Sequence, residues 1–380
     1  MELISGSKHS DVGVIPQDWG VDRICNLAQI TTGARDTQDR IDDGEFPFFV
    51  RSQNVERINS FSYDGEAVLT AGDGVGTGKI FHYIQGKFDF HQRVYKISDF
   101  FRKLDGYYFY LYFSTHFYNR IMSMTAKSSV DSVRMEMIAD MMIPLPPLTE
   151  QRLIAAVLSD VDALITSLEE LIAKKHLIKQ GAMQQLLTGK ARLPGFSGEW
   201  DEKPLGDITE IVMGQSPSST HYNTKGVGLP LIQGNADISN RKTIKRVFTT
   251  EVTKLGRSGD ILMSVRAPVG EISRALFDVC LGRGVCAIRF PNDFLYYALI
   301  AKEPSWAKLS KGSTFDSVNS TDVNVLTIDF PIKEKEQIAI ADVLSDMDAE
   351  IAALERRRDK TILLMQGMMQ ELLTGRIRLA

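Results

Sequence analysis

The chain has 380 residues, a formal net charge of −4, 43% apolar and 24% charged residues, the profile of a globular protein long enough for two or three cores. No stretch approaches the roughly 18–20 apolar residues of a membrane span, and "MELISGSKHSDVGVIP" lacks the basic head and apolar run of a secretory signal. A cytoplasmic location is therefore expected, with Cys25, Cys280 and Cys286 reduced and buried as small apolar side chains.

Neither the cysteines nor His82 and His91 show metal-ligand spacing. Charge is divided without a basic arm: residues 1–149 carry −4 and residues 191–335 carry +2. A nucleic-acid contact would have to rest on local patches or on charge supplied by a partner.

In chain order, the first conspicuous element is "AGDGVGTGKI" at 71–80. A phosphate-cradling G-x-x-x-x-G-K-[ST] loop would need glycine at Asp73 and a hydroxyl at Ile80, and no G-x-G-x-x-G register fits. The stretch is predicted to be a glycine-rich turn between two strands, "AVL" and "KIFHYI". The aromatic run at 107–118 is predicted to be domain core in a helix rather than a base-stacking platform. Strand-like "PFFV", "DILMSV" and "VCAIRF" mixed with short helices make the globular parts α+β.

The strongest signal is an internal repeat. Residues 150–193 and 336–379 align without a gap at an offset of 186, with 25 of 44 positions identical, which marks a duplication. Each copy reads as one long helix with apolar residues at three-four spacing: Leu158, Val161, Ile165, Leu168 and Ile172, then Leu344, Met347, Ile351 and Leu354. Val157, Leu164 and Leu171, with Val343 in the second copy, should widen the seam. Thr149 is expected to cap the first helix, and Gly189 and Gly375 to stop the two. About 38 residues give a length on the order of 55 Å, and each apolar side is expected to pack antiparallel on the other copy about a pseudo-two-fold axis. Charged "ERRRDK" at 355–360 should be a solvated face.

Fainter echoes precede each helix: 16–27 over 197–208, 78–97 over 270–289, and "KSSVDSV" (127–133) over "GSTFDSV" (312–318). The glycine loop lies over "MSVRAPVGEI" (263–272), where Glu271 replaces Lys79. A cofactor cradle would not survive that change; a tip presenting variable side chains would. The expected plan is a globular domain (1–149), a long helix (150–190), a second globular domain (191–335) and a second long helix (336–380).

"PLPPLTEQ", "LSDVDALI" and "LLTGKARLPGFSGEW", the last reused as "LLTGRIRL", resemble the specificity subunits of type I restriction–modification systems over essentially the whole chain. The resemblance implies two target recognition domains, each reading one half of a bipartite DNA sequence. The two coiled-coil-like helices would fix the spacing between half-sites and dock two methyltransferase subunits, with restriction (translocase) subunits joining them. It implies a non-catalytic chain without a cofactor of its own, S-adenosylmethionine, ATP and magnesium being used on other subunits. Half-sites more than one DNA turn apart would match a spacer of that length.

Within that picture, base-edge contacts are expected from polar loop residues. In the first domain these are Arg51, Gln53, Asn54, Lys79, His91, Gln92, Arg93, Lys127, Ser128 and Ser129. In the second they are Gln233, Asn235, Arg266, Arg283, Lys311, Ser313 and Thr314. Arg241, Lys242, Lys245 and Arg246 form a cluster suited to phosphates. Asp131 and Asp316, repeated in "DSV", read as structural carboxylates. Neither a nuclease P-D…D/E-x-K element nor a methyltransferase glycine loop with asparagine-proline-proline-aromatic is present. The alternative from another class is a coiled-coil adaptor that binds protein alone.

Overall fold

A computed structural model describes residues 6–124, 132–266, 268–311 and 318–379. The two long helices span Leu148–Leu186 and Glu334–Leu372, 39 residues each and so about 58 Å. The chain forms two compact units, residues 1–169 with 357–380 and residues 170–356. Each unit thus holds one globular domain, the start of the helix that follows it and the end of the other helix.

In the first unit a six-stranded sheet runs Gln29–Thr32, Val94–Ser98, Tyr63–Ala71, Phe81–Phe90, Phe46–Phe49, Glu56–Ile58. All its pairs are antiparallel except Phe46–Phe49 with Phe81–Phe90. The helix Gly106–Ser123 packs on it through Tyr108, Phe109, Tyr112, Phe113 and Phe117, all buried. The aromatic run is therefore core, as its apolar density required. The second unit carries the six-stranded and five-stranded sheets that include Ile261–Ser264 and Leu229–Ile232, with the helix Phe294–Lys311 against the six-stranded one. In both units an early strand pairs with the one that leads into the long helix. Gly20–Arg23 pairs with Met142–Leu145, and Trp200–Pro204 with Thr327–Pro331.

The Glu-Gln dipeptide at the head of each long helix explains its place in the repeat. Gln151 accepts from the Asp105 backbone N–H and donates to the Lys103 and Pro146 carbonyls. Gln337 accepts from Asn292 and donates to the Pro331 carbonyl. Each glutamine thereby ties the long helix's start to the loop before its own unit's shorter helix, Gly106–Ser123 or Phe294–Lys311. The buried glutamates receive an arginine from the tail of the other helix. Arg378 forks onto Glu150 at 2.6 and 2.8 Å, and Arg192 onto Glu336 at 2.6 and 2.7 Å.

Trp19 and Trp200 cover these forks, at 5.6 and 5.8 Å from the guanidinium carbons. Trp19 Nε1 also donates to Glu150 at 3.1 Å. The chain reaches each arginine through a left-handed glycine, Gly375 at φ 69° or Gly189 at φ 68°. A side chain at Gly375 would strike Pro16 and Trp19. Hydrogen bonds donated to Glu150 and Asp18 hold the Arg378 guanidinium well above its ordinary range, and Arg378 in turn lowers the Asp18 carboxyl. Arg378→Ala strands a buried carboxylate, but the guanidinium is one-third exposed and Trp19 still donates. We expect a loss of about 2–3 kcal/mol in urea unfolding; a variant within 0.5 kcal/mol of wild type would show that the fork is ornamental.

The helices are antiparallel within each unit. In the first, Ile154, Ala155 and Leu158 share a core with Leu372 and Leu373; in the second, Leu186 and Leu187 meet Ile340, Ala341 and Leu344. Lys175–Glu350 (2.6 Å) and Lys179–Asp348 continue the second contact. Of the predicted seam, Leu158, Leu168, Ile172, Leu344 and Ile351 are buried, and Val157, Val161, Ile165, Val343, Met347 and Leu354 are half-buried. Leu164 and Leu171 are exposed, which corrects the broader face expected of them: a two-helix contact covers a narrow stripe and leaves the flanking positions sideways to solvent.

Two smaller expectations also change. The first helix begins at Leu148, so Thr149 lies inside its first turn rather than at the cap. Cys25 is exposed, whereas Cys280 and Cys286 are buried, burial pushing the Cys286 thiol up to about 12.

Candidate nucleic-acid interface

In the first unit three loops are held together by backbone hydrogen bonds. His91 N–H donates to the Phe49 carbonyl (2.9 Å), Gly72 N–H to Arg93 (2.8 Å) and Val133 N–H to Gly72 (2.7 Å). This unites residues 50–54, the glycine loop between Tyr63–Ala71 and Phe81–Phe90, and residues 91–93. At the junction Asp73 accepts from Arg51 at 2.8 Å and from Arg93 at 3.0 Å. Partial burial opposes ionisation there, but the hydrogen bonds and charges of the two guanidiniums outweigh it and hold the Asp73 carboxyl below its usual range. Both arginines remain substantially exposed, so each keeps N–H groups facing outward.

Gln92 and Arg93 line a cleft of about 280 Å³ beside Asp73, and Gln92 donates to Asp36 at 3.0 Å. Gln53 and Asn54 are exposed. Lys79 is exposed with its ammonium 5.1 Å from the Tyr118 ring centre.

His91 does not belong with the readers. Its side chain is 3% exposed, its Nδ1 accepts from the Arg93 backbone N–H at 2.9 Å, and burial lowers its pKa. It is a neutral strut under the Arg93 loop. Lys127, Ser128, Ser129 and Asp131 lie outside the described residues.

The second unit repeats the arrangement. Val265 N–H donates to Gly284 (2.9 Å), Val318 N–H to Val265 (2.9 Å) and Gly282 N–H to Ile232 (2.7 Å). The first two bonds are the counterparts of Gly72–Arg93 and Val133–Gly72, so the repeat extends into the loops themselves. Gln233, Arg266 and Arg283 are exposed on the segments thus joined. Asn235 is half-buried and its amide donates to Glu271, so that donor is already spent inside the cluster. Ser313, Thr314 and Asp316 lie outside the described residues, as does the side chain of Lys311.

The basic cluster at 241–246 is partly committed to the fold. Arg241, at φ 59°, forms a two-point pair with Glu303, which also accepts the Ile272 N–H; the Glu303 hydrogen bonds raise the Arg241 pKa. Arg246 donates to the Ala236 carbonyl and lies 3.5 Å from Asp237. Lys242 is exposed, and Lys245 is exposed beside Phe277. Of the phosphate-facing set expected from sequence, Arg241 is thereby committed to the fold, while Lys242, Lys245 and the 49% exposed Arg246 side chain keep donors in solvent.

Asp73 is the residue of this cluster that sequence reasoning missed. Its partners stand 22 and 20 positions away, and inside a glycine run it reads only as a group that repels phosphate.

A family model described as type I restriction modification DNA specificity domain matches residues 16–179 and again 197–364. The chain is similar to a Methanocaldococcus jannaschii protein assigned as type I restriction enzyme MjaX specificity subunit, 29% identical, covering 98% of this chain and 96% of that one. It is also similar to the MjaVIII specificity subunit of the same organism, 24% identical, covering 96% and 94%. Its fold resembles the crystal structure of the type I restriction–modification system S subunit from M. genitalium, with TM-score 0.69, 15% identity and 98% of each chain covered. With both halves of its length matched in tandem, the chain belongs to the type I restriction–modification DNA specificity family.

Proposed function

We propose that the chain selects the DNA sequence for a type I restriction–modification complex, each unit's loop cluster reading one half of a bipartite duplex target. The observation that carries this is the duplicated junction, Gly72–Arg93–Val133 in one unit and Val265–Gly284–Val318 in the other. It projects exposed donors from equivalent positions of two domains whose side chains differ. Arg51 and Arg93 in the first, and Arg266 and Arg283 in the second, suit the acceptor edges of guanine in the major groove. Asp73 holds the first pair ready, which lowers the ordering cost of contact.

The long helices set the half-site spacing and carry two methyltransferase subunits, to which restriction (translocase) subunits add. The chain itself turns nothing over, and S-adenosylmethionine, ATP and magnesium serve those partners. Docking in two copies is supported by a second duplicated feature. Leu177 and Ile178 are 69% and 47% exposed, and their counterparts 186 residues on, Leu363 and Leu364, are 67% and 58% exposed. Large aliphatic pairs left in water at both copies of a repeat mark an interaction surface.

Native mass spectrometry of the co-expressed complex tests this. Leu177→Asp or Leu363→Asp should each leave one methyltransferase per chain, and the double variant none, all three unfolding as wild type does. A double variant that still carries two methyltransferases would contradict the docking reading. An adaptor that binds protein alone is not favoured, because the loop clusters would then have no occupant.

A further inference from the structure

The glycine loop carries at its tip a residue that none of the preceding readings uses. Val75 is fully exposed, with a relative accessibility of 104%. The loop beneath it is tightly wound. Thr77 Oγ1 and N–H both bond the Gly74 carbonyl, at 2.6 and 3.1 Å. Lys79 and Ile80 N–H both bond the Gly76 carbonyl, at 3.0 and 3.1 Å. Gly74 and Gly78 take φ 87° and 69°, conformations open to glycine.

Thr77 is buried, and a Cβ on Gly78 would lie 2.3 Å from Ile121, so the loop is seated on the aromatic helix. Its base is Asp73, with Arg51 and Arg93 attached. An aliphatic side chain is thus held out into solvent on a braced finger, next to two guanidiniums with outward N–H groups.

The polar flank fits DNA, and the apolar group that duplex DNA offers at a base edge is the thymine C5-methyl in the major groove. Side chains that wedge between base steps are typically longer or flatter ones such as Phe, Leu or Met; a short branched isopropyl suits contact with a methyl. We propose that Val75 is a specificity-determining residue that packs on a thymine methyl in the half-site read by the first domain. This deepens the proposed function and rests on it.

The test uses the reconstituted chain–methyltransferase complex and a duplex carrying its methylated target. Every thymine in both half-sites is replaced in turn by deoxyuridine, which removes the methyl and keeps the pairing. Wild type should lose about 3- to 10-fold in affinity at one thymine. Val75→Ser should bind the unmodified duplex weaker by a similar factor, be indifferent to deoxyuridine at that position, and respond as wild type does everywhere else.

A Val75→Ser complex that still discriminates at every wild-type-sensitive thymine would overturn the proposal. So would a wild type sensitive to none, or a first half-site without an A·T pair. A wild-type complex that binds no bipartite duplex would instead sink the DNA reading on which the proposal stands.

Discussion

Leu158→Asp is expected to unfold the first unit at room temperature or bring it close to unfolding. Leu158 is fully buried where the start of the first long helix meets Leu372 and Leu373 at the end of the second. A carboxylate there has no cation to pair with in that apolar cluster. The lost leucine burial alone costs about 3 kcal/mol, and the unpaired charge adds several more or forces the group to take up a proton. Against a domain stability of about 5–15 kcal/mol, that sum leaves little.

Leu344→Asp, in the second unit's equivalent position, should do the same there. Leu164→Asp, on the exposed flank, should stay within about 0.5 kcal/mol. Urea unfolding of the three variants checks the ranking. Equal midpoints for Leu158→Asp and Leu164→Asp would mean that the helices do not pack as described.

Replacing both Arg51 and Arg93 with alanine is expected to alter recognition of one half of the target and leave the other half and the gap unchanged. A well-made arginine–guanine contact contributes about 1–3 kcal/mol of discrimination. The two arginines share Asp73, so their effects should not add, and we expect an affinity loss between about ten- and a thousand-fold. Asp73→Asn keeps both guanidiniums but loosens their hold, and should fall between wild type and the double variant. Titration against the intact target and against targets mutated in one half separates the contributions. A double variant that binds every target more weakly by the same factor, with discrimination in both halves intact, would show these residues acting on phosphates instead.

Much of the plan was legible because it rests on periodicity. The 186-residue offset, the three-four spacing of Leu158 and Leu344, the glycine stops and the buried aromatic helix are local patterns, and each survives in the fold. What was not legible depends on pairs far apart in the chain. Arg192 and Arg378 read as ordinary basic residues until Glu336 and Glu150 arrive from 144 and 228 positions away.

The same distance explains the site. Arg241, expected to face phosphates, is claimed for the fold by Glu303, 62 positions away; His91 is the local exception, its ring held by the Arg93 N–H two positions on. Asp73, read from sequence only as unfit for a phosphate-cradling loop, gains its place once Arg51 and Arg93 close on it. Leu164 shows the limit of periodicity itself: an apolar residue beside a seam need not be in it.

A methylome decides whether two half-sites are read. The chain is co-expressed with its methyltransferase in a host without DNA methylation, and modified adenines are mapped by direct sequencing. Two short specified blocks separated by a fixed unspecified gap are the predicted result, one block for each loop cluster. New methylation at a single unbroken motif, or none while both proteins are soluble and associated, would contradict it.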